Sequence, residues 1–280
     1  MAGKSIPSHK TNADIIARGV KQSNVVGTTT FIGLRALDPV LQYEILCHGL
    51  GSSFLAKLGL STIPLSAAVV TRTGIKLIDQ LGLPLERLLL LGMAIGSAAK
   101  QIFWLTYTSE EEFPVTSSVF VSAYNTLCNS INSLLFLTAA TCAARWTKPF
   151  TVPVPGTRSQ VSLPVALGAI LYVVGITLEA GSEIQRKKFK DDPTHKGKLC
   201  REGLWSWARH INYGGYTLWR TGYALASGGW IVGAVVAILQ SSWFARGGMV
   251  SLDNYMSRKY KDQWGRYKED VRWKLLPGIY

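Results

Sequence analysis

The sequence predicts an all-α integral membrane protein, and composition and hydropathy pattern are the two observations that predict it. Hydrophobic residues make up 48% of the 280-residue chain and charged residues only 17%, which is unusual for a soluble domain. The apolar residues are gathered in blocks near residues 83–106, 115–144, 162–180 and 213–244. Each block is long enough to cross ~30 Å of hydrocarbon at ~1.5 Å per residue.

The net charge of +13 does not indicate a nucleic-acid partner, because Lys and Arg cluster at 186–209 and 258–274, beside apolar blocks. The positive-inside rule predicts that both basic segments face the cytosol and contact lipid headgroups. The four cysteines show no CxxC spacing and the four histidines are dispersed. We therefore expect free, mostly buried thiols and no metal site.

The N-terminal half begins with a polar tail over residues 1–26, which has no secretory h-region. An internal helix is therefore expected to act as an uncleaved signal. The apolar stretch 25–70 contains too many polar groups to face lipid on all sides, so these groups should face a protein interior or an interface. They are Arg35, Asp38, Gln42, Glu44, His48 and Lys57.

Two helices are predicted over 83–107 and 115–144. In the first, Lys100, Trp104 and Tyr107 share one face; a snorkelling lysine within an aromatic belt is favoured over a face that contacts substrate. In the second, three asparagines (Asn125, Asn129, Asn132) form one stripe, and helix–helix hydrogen bonding and cavity lining are equally compatible with it. Three prolines and a glycine in 145–161 predict a loop outside the bilayer.

The span at 162–180 continues into a polar stretch, residues 179–222, that holds most of the candidate chemistry. Glu179 and Glu183 lie four apart and share a helix face, and the helix should end before Pro193. The 32 apolar residues from 213 to 244 are interrupted by Ser227-Gly228-Gly229. A tight turn there predicts two antiparallel helices, which would return the C-terminal tail to the basic segment 186–209.

The stretch GLWSWARHINYGG and the tail KYKDQWGRYKEDVRWKLLPGIY resemble the steroid 5-alpha-reductase superfamily of integral-membrane sterol reductases, to which isoprenylcysteine carboxyl methyltransferase is more distantly related. The family pattern reads approximately GLW-x-x-x-RHPNY-x-GE, preceded by two acidic residues and QK. A tail pattern with an acidic residue, KYG-x-x-W-x-x-Y and a proline follows. The resemblance is specific over about 178–280 and limited to hydropathy over 1–160. The matching residues are Gly203, Leu204, Trp205, Arg209, His210, Asn212, Tyr213 and Gly215, and in the tail Asp253, Lys259, Tyr260, Trp264, Tyr267 and Pro277.

The resemblance implies a bundle of about six to seven membrane helices without a Rossmann fold. Residues 27–160 would shape the cavity for a lipophilic substrate, and residues 161–280 would hold NADPH at the cytosolic face. It implies hydride transfer to a carbon–carbon double bond of a sterol, steroid, terpenoid or other enone, or to a cation formed by protonating an alkene. The implied catalytic residues are Glu44 and Tyr107. The implied cofactor-binding residues are Glu179, Glu183, Gln185, Arg209, His210, Asn212, Tyr213, Tyr216, Arg220, Asp253 and Tyr260.

Two positions depart from the family pattern: Ile211 stands where proline is usual, and Tyr216 stands where the reductases usually have glutamate. The second change removes an acceptor that could serve a cofactor. Two alternatives therefore stay open: a methyltransferase that uses S-adenosylmethionine, and a non-redox isomerase, cyclase or lipid-binding protein on the same scaffold. With an internal signal, the family resemblance points to the endoplasmic reticulum.

Overall fold

The computed structural model describes residues 21–67, 69–145, 151–154 and 160–280. The predicted N-terminal tail over 1–26 therefore lies mostly outside the described residues. The helices are α1 (Val25–His48), α2 (Ser52–Lys57), α3 (Lys76–Asp79), α4 (Leu85–Phe103), α5 (Val115–Leu137), α6 (Leu163–Asp191), α7 (Ile211–Trp243), α8 (Met249–Tyr260) and α9 (Asp262–Asp270), and the strands are β1 (Thr151–Pro153) and β2 (Gln160–Ser162).

The all-α class is confirmed, since 73% of the described residues are helical. Within the part of the chain that the structure describes, three stretches are long and apolar enough to cross a membrane: Leu85–Thr108, Leu163–Asp191 and Ile211–Tyr260. The protein is thus an integral membrane protein, while the count of six to seven spans stays a prediction. The described part of the loop 145–161 includes the short antiparallel pair β1–β2; residues 146–150 and 155–159 lie outside the described part.

The predicted turn at Ser227-Gly228-Gly229 is confirmed within α7. Gly229 has φ 75° and ψ −165°, a backbone conformation open to glycine and strained for other residues. The chain reverses at Gly229. The stacking of Tyr213 on Phe244 shows this, because their ring centroids are 4.5 Å apart although 31 residues separate them in sequence. We call the first limb, residues 211–228, the inward limb of α7.

The core lies where α6 and the inward limb of α7 pack closely, with α4 and α1 against them. Tyr172 of α6 meets Trp219 and Tyr223 of α7 edge-to-face, at centroid distances of 6.0 and 6.2 Å. These three aromatic side chains are at most 6% exposed. This packing fixes the rotation of α6 and α7, and hence the direction of their polar side chains.

The C-terminal tail returns to the start of α7, as the hairpin predicted. The Arg209 and His210 amides donate to the carbonyls of Trp273 and Lys274, at 3.0 and 2.8 Å. The sequence of the tail predicts one amphipathic helix that ends near Trp264 and a strap after it. The structure has two helices, α8 and α9, which meet at Lys261, whose φ of 45° interrupts the helix, and the strap begins only after Asp270.

Candidate functional site

Two buried polar side chains, His210 and Asn212, lie at the N-terminus of α7. His210 is 3% and Asn212 is 8% exposed. The Nδ1 atom of His210 and the Oδ1 atom of Asn212 have no hydrogen-bond partner among the described residues. Buried polar atoms in folded proteins are nearly always paired, so a ligand that supplies partners here would remove an energetic cost.

Aromatic rings form the walls around these atoms. The His210 imidazole stacks on Tyr213 at a centroid distance of 5.7 Å and meets Trp264 of α9 edge-on at 6.3 Å. The Trp264 indole is held in turn by Asp253 of α8, whose Oδ1 accepts from Nε1 at 2.8 Å. Residues distant in sequence thus converge at the N-terminus of α7, and we call the group His210, Asn212, Tyr213 and Trp264 the α7 entrance site.

Basic side chains dominate the surroundings of the α7 entrance site. Arg209 and Lys274 are the cations, and Asp253 the carboxylate, whose charges act on His210. The segments 186–209 and 246–274 contain sixteen of the thirty Lys and Arg residues and only seven acidic residues. A net positive field of this kind attracts phosphate-bearing ligands.

A buried ionic cluster lies beneath the site, between α4, α6 and α7. The Lys100 ammonium pairs with Glu179 and, at 3.0 Å, with Glu183. Glu179 also accepts from Trp219 Nε1 at 2.6 Å. The side chains of Lys100, Glu179 and Glu183 are each 9% exposed or less. The two carboxylates are therefore already engaged by the protein's own donors.

Side chains from α1, α5 and α7 form a second buried polar network, which we call the polar seam. Asp38 accepts from Arg35 at 3.2 Å, from Gln42 at 3.0 Å and from Asn129 at 2.6 Å. Arg220 of α7 joins the seam through Asn129 and Asn125. The asparagine stripe of α5 is thus used for helix–helix hydrogen bonds, one of the two roles expected for it.

Comparison with known proteins agrees with this architecture. Residues 123–274 match the model of a family described as "Protein of unknown function (DUF1295)". The chain belongs to the DUF1295 family. The resemblance to the steroid 5-alpha-reductase superfamily is likewise confirmed, because sterol reductases are among the relatives of this chain.

Among the relatives, the probable O-methyltransferase ustE of Ustilaginoidea virens is 39% identical over 246 residues, 88% of this chain and 84% of that protein. The Delta(14)-sterol reductase ERG24B of Gibberella zeae is 29% identical over 169 residues, 42% of this chain and 34% of the relative. The 7-dehydrocholesterol reductase of Danio rerio is 33% identical over 90 residues, 32% of this chain and 19% of the relative. The chain thus spans only about a third or less of these two reductases.

Several residues expected to hold a cofactor serve the scaffold of this DUF1295 protein. The Gln185 side chain accepts from the Leu204 amide at 3.0 Å, so it fixes the connector between α6 and α7. The Tyr260 hydroxyl accepts from Lys190 Nζ at 2.8 Å, so it ties α8 to α6. The contact of both residues with a cofactor stays a prediction.

The two expected catalytic residues are not brought together. Arg87, near the start of α4, donates to Leu46 O of α1, so Glu44 lies near that end of α4. Tyr107 lies about 20 residues further along, roughly 30 Å away by helix rise. Glu44 pairs with the exposed His48 at 2.7 Å. The ring centroid of Tyr107 lies 5.7 Å from Lys187 Nζ, at the end of the bundle near the α7 entrance site.

Lys100 is the residue whose role the sequence pattern missed. We expected a lysine snorkelling to the membrane surface, but its side chain is 9% exposed and ion-paired. The pair Glu179 and Glu183 was the available signal, because two carboxylates on one helix face inside a membrane need a cation. Trp219, which donates to Glu179, carried no comparable signal.

A pH dependence of stability should follow from His210. Burial, and then the Arg209 cation, lower the pKa of His210 to about 4, against about 6.5 in the unfolded chain. The unfolded state therefore binds more protons between these values. We expect stability to be greatest above pH 6.5 and to fall by about 3 kcal/mol as pH approaches 4, measured by thermal unfolding in detergent.

The matched variants are His210→Gln and His48→Gln, the second at an exposed histidine. His210→Gln should reduce the change in stability between pH 6.5 and pH 4, while His48→Gln should leave that change as it is in the wild type. Equal slopes for wild type and His210→Gln would show that His210 does not titrate in this manner.

Proposed function

We propose that this protein is an NADPH-dependent membrane reductase that acts on a carbon–carbon double bond of a lipophilic sterol, steroid, terpenoid or other enone. The observation that carries the proposal is the pair of unpartnered buried atoms, His210 Nδ1 and Asn212 Oδ1, within a basic setting. NADPH carries phosphates that need cations and amide and hydroxyl groups that need donors and acceptors.

The residues of the α7 entrance site fit such a cofactor chemically. Asn212 Oδ1 can accept from an amide or hydroxyl, and His210, neutral near pH 7, can accept at Nδ1 when the proton is on Nε2. Arg209 and Lys274 supply positive charge for phosphate. When bound, NADPH supplies the hydride, while the protein orients the reactants and excludes water.

The matches to sterol reductases support the reductase class, and the family match over residues 123–274 includes the residues of the α7 entrance site. On this proposal, residues 27–160 form the substrate-binding part and residues 161–280 the cofactor-binding part. The basic segments at 186–209 and 258–274 would face the cytosol, in the endoplasmic reticulum membrane.

A second candidate function is methyl transfer from S-adenosylmethionine. The 39% match to a probable O-methyltransferase over most of both chains favours it, as does Tyr216 in place of the reductase glutamate. The basic surroundings of the α7 entrance site favour NADPH, because S-adenosylmethionine carries no phosphate.

Calorimetric titration of the detergent-purified protein decides between these functions. NADPH, NADH and S-adenosylmethionine are titrated separately under identical conditions. Saturable NADPH binding with weaker or no S-adenosylmethionine binding supports the reductase. The reverse order supports the methyltransferase, and binding of neither indicates a non-redox protein on this scaffold.

Substitution of Asn212 tests the site itself. Asn212→Ala should weaken NADPH binding about tenfold, the effect of losing one hydrogen bond, and leave the melting temperature of the free protein nearly unchanged because Oδ1 has no partner to lose. Asn254→Ala, at an exposed position of α8, is the control and should bind as wild type does. Unchanged NADPH affinity in Asn212→Ala would remove this residue from the site.

A further inference from the structure

Arg220 is a buried cation at the middle of a membrane-spanning limb. The inward limb of α7 runs from residue 211 to residue 228, so Arg220 lies about 13 Å from either end by helix rise. Its side chain is packed among α1, α5 and α7 and is only 4% exposed. Ionisable groups at this depth are costly and usually functional.

All the hydrogen-bond partners of Arg220 are neutral. Its Nε donates to the Tyr216 hydroxyl at 3.0 Å, and its terminal nitrogens donate to the side-chain oxygens of Asn129, at 3.4 Å, and Asn125. The guanidinium also lies 4.4 Å from the Trp219 ring centroid and 5.3 Å from that of Tyr216. Among the described residues, no carboxylate forms an ion pair with it.

The carboxylate of the polar seam is already occupied. Asp38 is paired with Arg35 at 3.2 Å, and both side chains are fully buried. The seam therefore holds two arginines and one aspartate. One positive charge is left uncompensated inside the bundle, and a buried charge without a counter-ion is strongly unfavourable.

The direction of the side chain connects this charge to the α7 entrance site. Asn212, Tyr216 and Arg220 lie four residues apart in turn and share one face of α7. Side chains of a helix lean toward its N-terminus, and the Arg220 guanidinium reaches back to Tyr216. The guanidinium thus lies about one helical turn further along α7 than Asn212, between the proposed cofactor site and the middle of the bundle.

The geometry points to Arg220 as the group that binds a substrate oxygen on which negative charge develops. This inference rests on the proposed function and narrows the substrate class to conjugated enones. A hydride added to the β-carbon moves the alkene π pair to the α-carbon–carbonyl bond and the carbonyl pair onto oxygen, giving an enolate. The fixed guanidinium stabilises that oxygen.

Tyr216 completes the step. Its oxygen accepts from Arg220 Nε, so its O–H remains able to donate. When the enolate reforms the carbonyl, the α-carbon takes a proton from Tyr216, which recovers one from water, and the product is a saturated ketone. Conversely, a fixed cation opposes reduction through a carbocation, so an isolated alkene is disfavoured as substrate.

A lipophilic chromophoric phenol, a long-chain alkyl 4-nitrophenol, reports this charge without turnover. Its phenolate absorbs at longer wavelength than the phenol, so the ionisation midpoint of the bound probe can be read spectroscopically against empty detergent micelles. The charged or titratable groups around Arg220 are Tyr124, Cys128, Tyr172, Tyr216, Tyr223 and Arg35. Asp38 is linked to Arg220 through Asn129. We expect wild-type protein to lower the midpoint by about one to two pH units, as an opposite charge nearby does.

Arg220→Gln should abolish that shift, a roughly tenfold to hundredfold loss of phenolate affinity, while Arg220→Lys should retain most of it. Arg258→Gln, at an exposed arginine of α8, should match wild type. A wild-type midpoint equal to that in empty micelles would overturn the inference, as would an unchanged shift in Arg220→Gln.

The reductase proposal and the role of Arg220 can be disproved independently of each other. If the wild-type protein shifts the probe but binds S-adenosylmethionine instead of NADPH, the oxyanion contact stands and the reductase does not. If NADPH binds and the probe midpoint is not lowered, the oxyanion role of Arg220 is wrong and the reductase stands. With both intact, NADPH oxidation should be supported by an enone and not by the matching alkene that lacks the carbonyl.

Discussion

Lys100→Met should destabilise the protein by about 3–5 kcal/mol, the cost of removing one partner from a buried ionic group. The substitution keeps the length and apolar stem of the side chain but leaves Glu179 and Glu183, one turn apart on α6, without their cation. Glu179 retains only the Trp219 indole as a donor among the contacts described. Reversible unfolding in detergent, followed by tryptophan fluorescence, measures the loss.

Two variants separate lost pairing from lost volume. Lys57→Met removes an exposed lysine of α2 and should change the free energy of unfolding by less than about 0.5 kcal/mol. The double variant Lys100→Met/Glu183→Gln should recover part of the loss because one uncompensated carboxylate is gone. A Lys100→Met protein as stable as Lys57→Met would show that the cluster contributes little.

The sequence predicted those parts of the fold that depend on local chemistry. The Ser227-Gly228-Gly229 turn could be foreseen because a glycine allows the positive φ that a reversal needs, and α6 ends at Asp191, just before Asp192-Pro193. The meeting of the C-terminal tail with residues 209–210 followed from that turn. These features need no knowledge of how helices are rotated against one another.

Features that depend on helix rotation could not be predicted in the same way. Lys100 faces α6 rather than the membrane surface because the packing of Tyr172 and Trp219 sets the orientation of α4, α6 and α7. The pair Gln42 and Glu44 shows the same limit. Two residues apart on a helix, they point to nearly opposite faces, so Gln42 is buried in the polar seam while Glu44 pairs with His48 at the surface.

The two buried networks give the bundle a charge pattern that the composition does not reveal. The Lys100 cluster holds one cation and two carboxylates, whereas the polar seam holds two cations and one carboxylate. Tyr216 of α7 contributes no charge to either network, and it stands where the pattern of the resembled family has glutamate. That replacement leaves Arg220 with a phenol one turn away instead of a counter-ion, which is the feature that directs the proposed chemistry toward a developing oxyanion.

Gly175→Ala should destabilise the protein by about 3 kcal/mol or more, because α6 and the inward limb of α7 meet backbone to backbone. A Cβ at Gly175 would lie 2.4 Å from the Trp219 amide nitrogen and 2.6 Å from the Gly215 carbonyl oxygen. Backbone atoms cannot rotate aside as a side chain can, so the helices must separate. Gly168 and Gly222, one heptad along each helix, make the same kind of contact.

Gly92→Ala on α4 is the matched control, since nothing lies within 4 Å of a Cβ built there. It should be neutral or stabilising by up to about 1 kcal/mol, because alanine favours a helix over glycine. The two variants are compared by unfolding in detergent. Equal free energies of unfolding for the two variants would show that α6 and α7 are not held at glycine contact distance. A loss in Gly175→Ala alone would show that the close approach that aligns Glu179 with Trp219 depends on the absence of a side chain at Gly175.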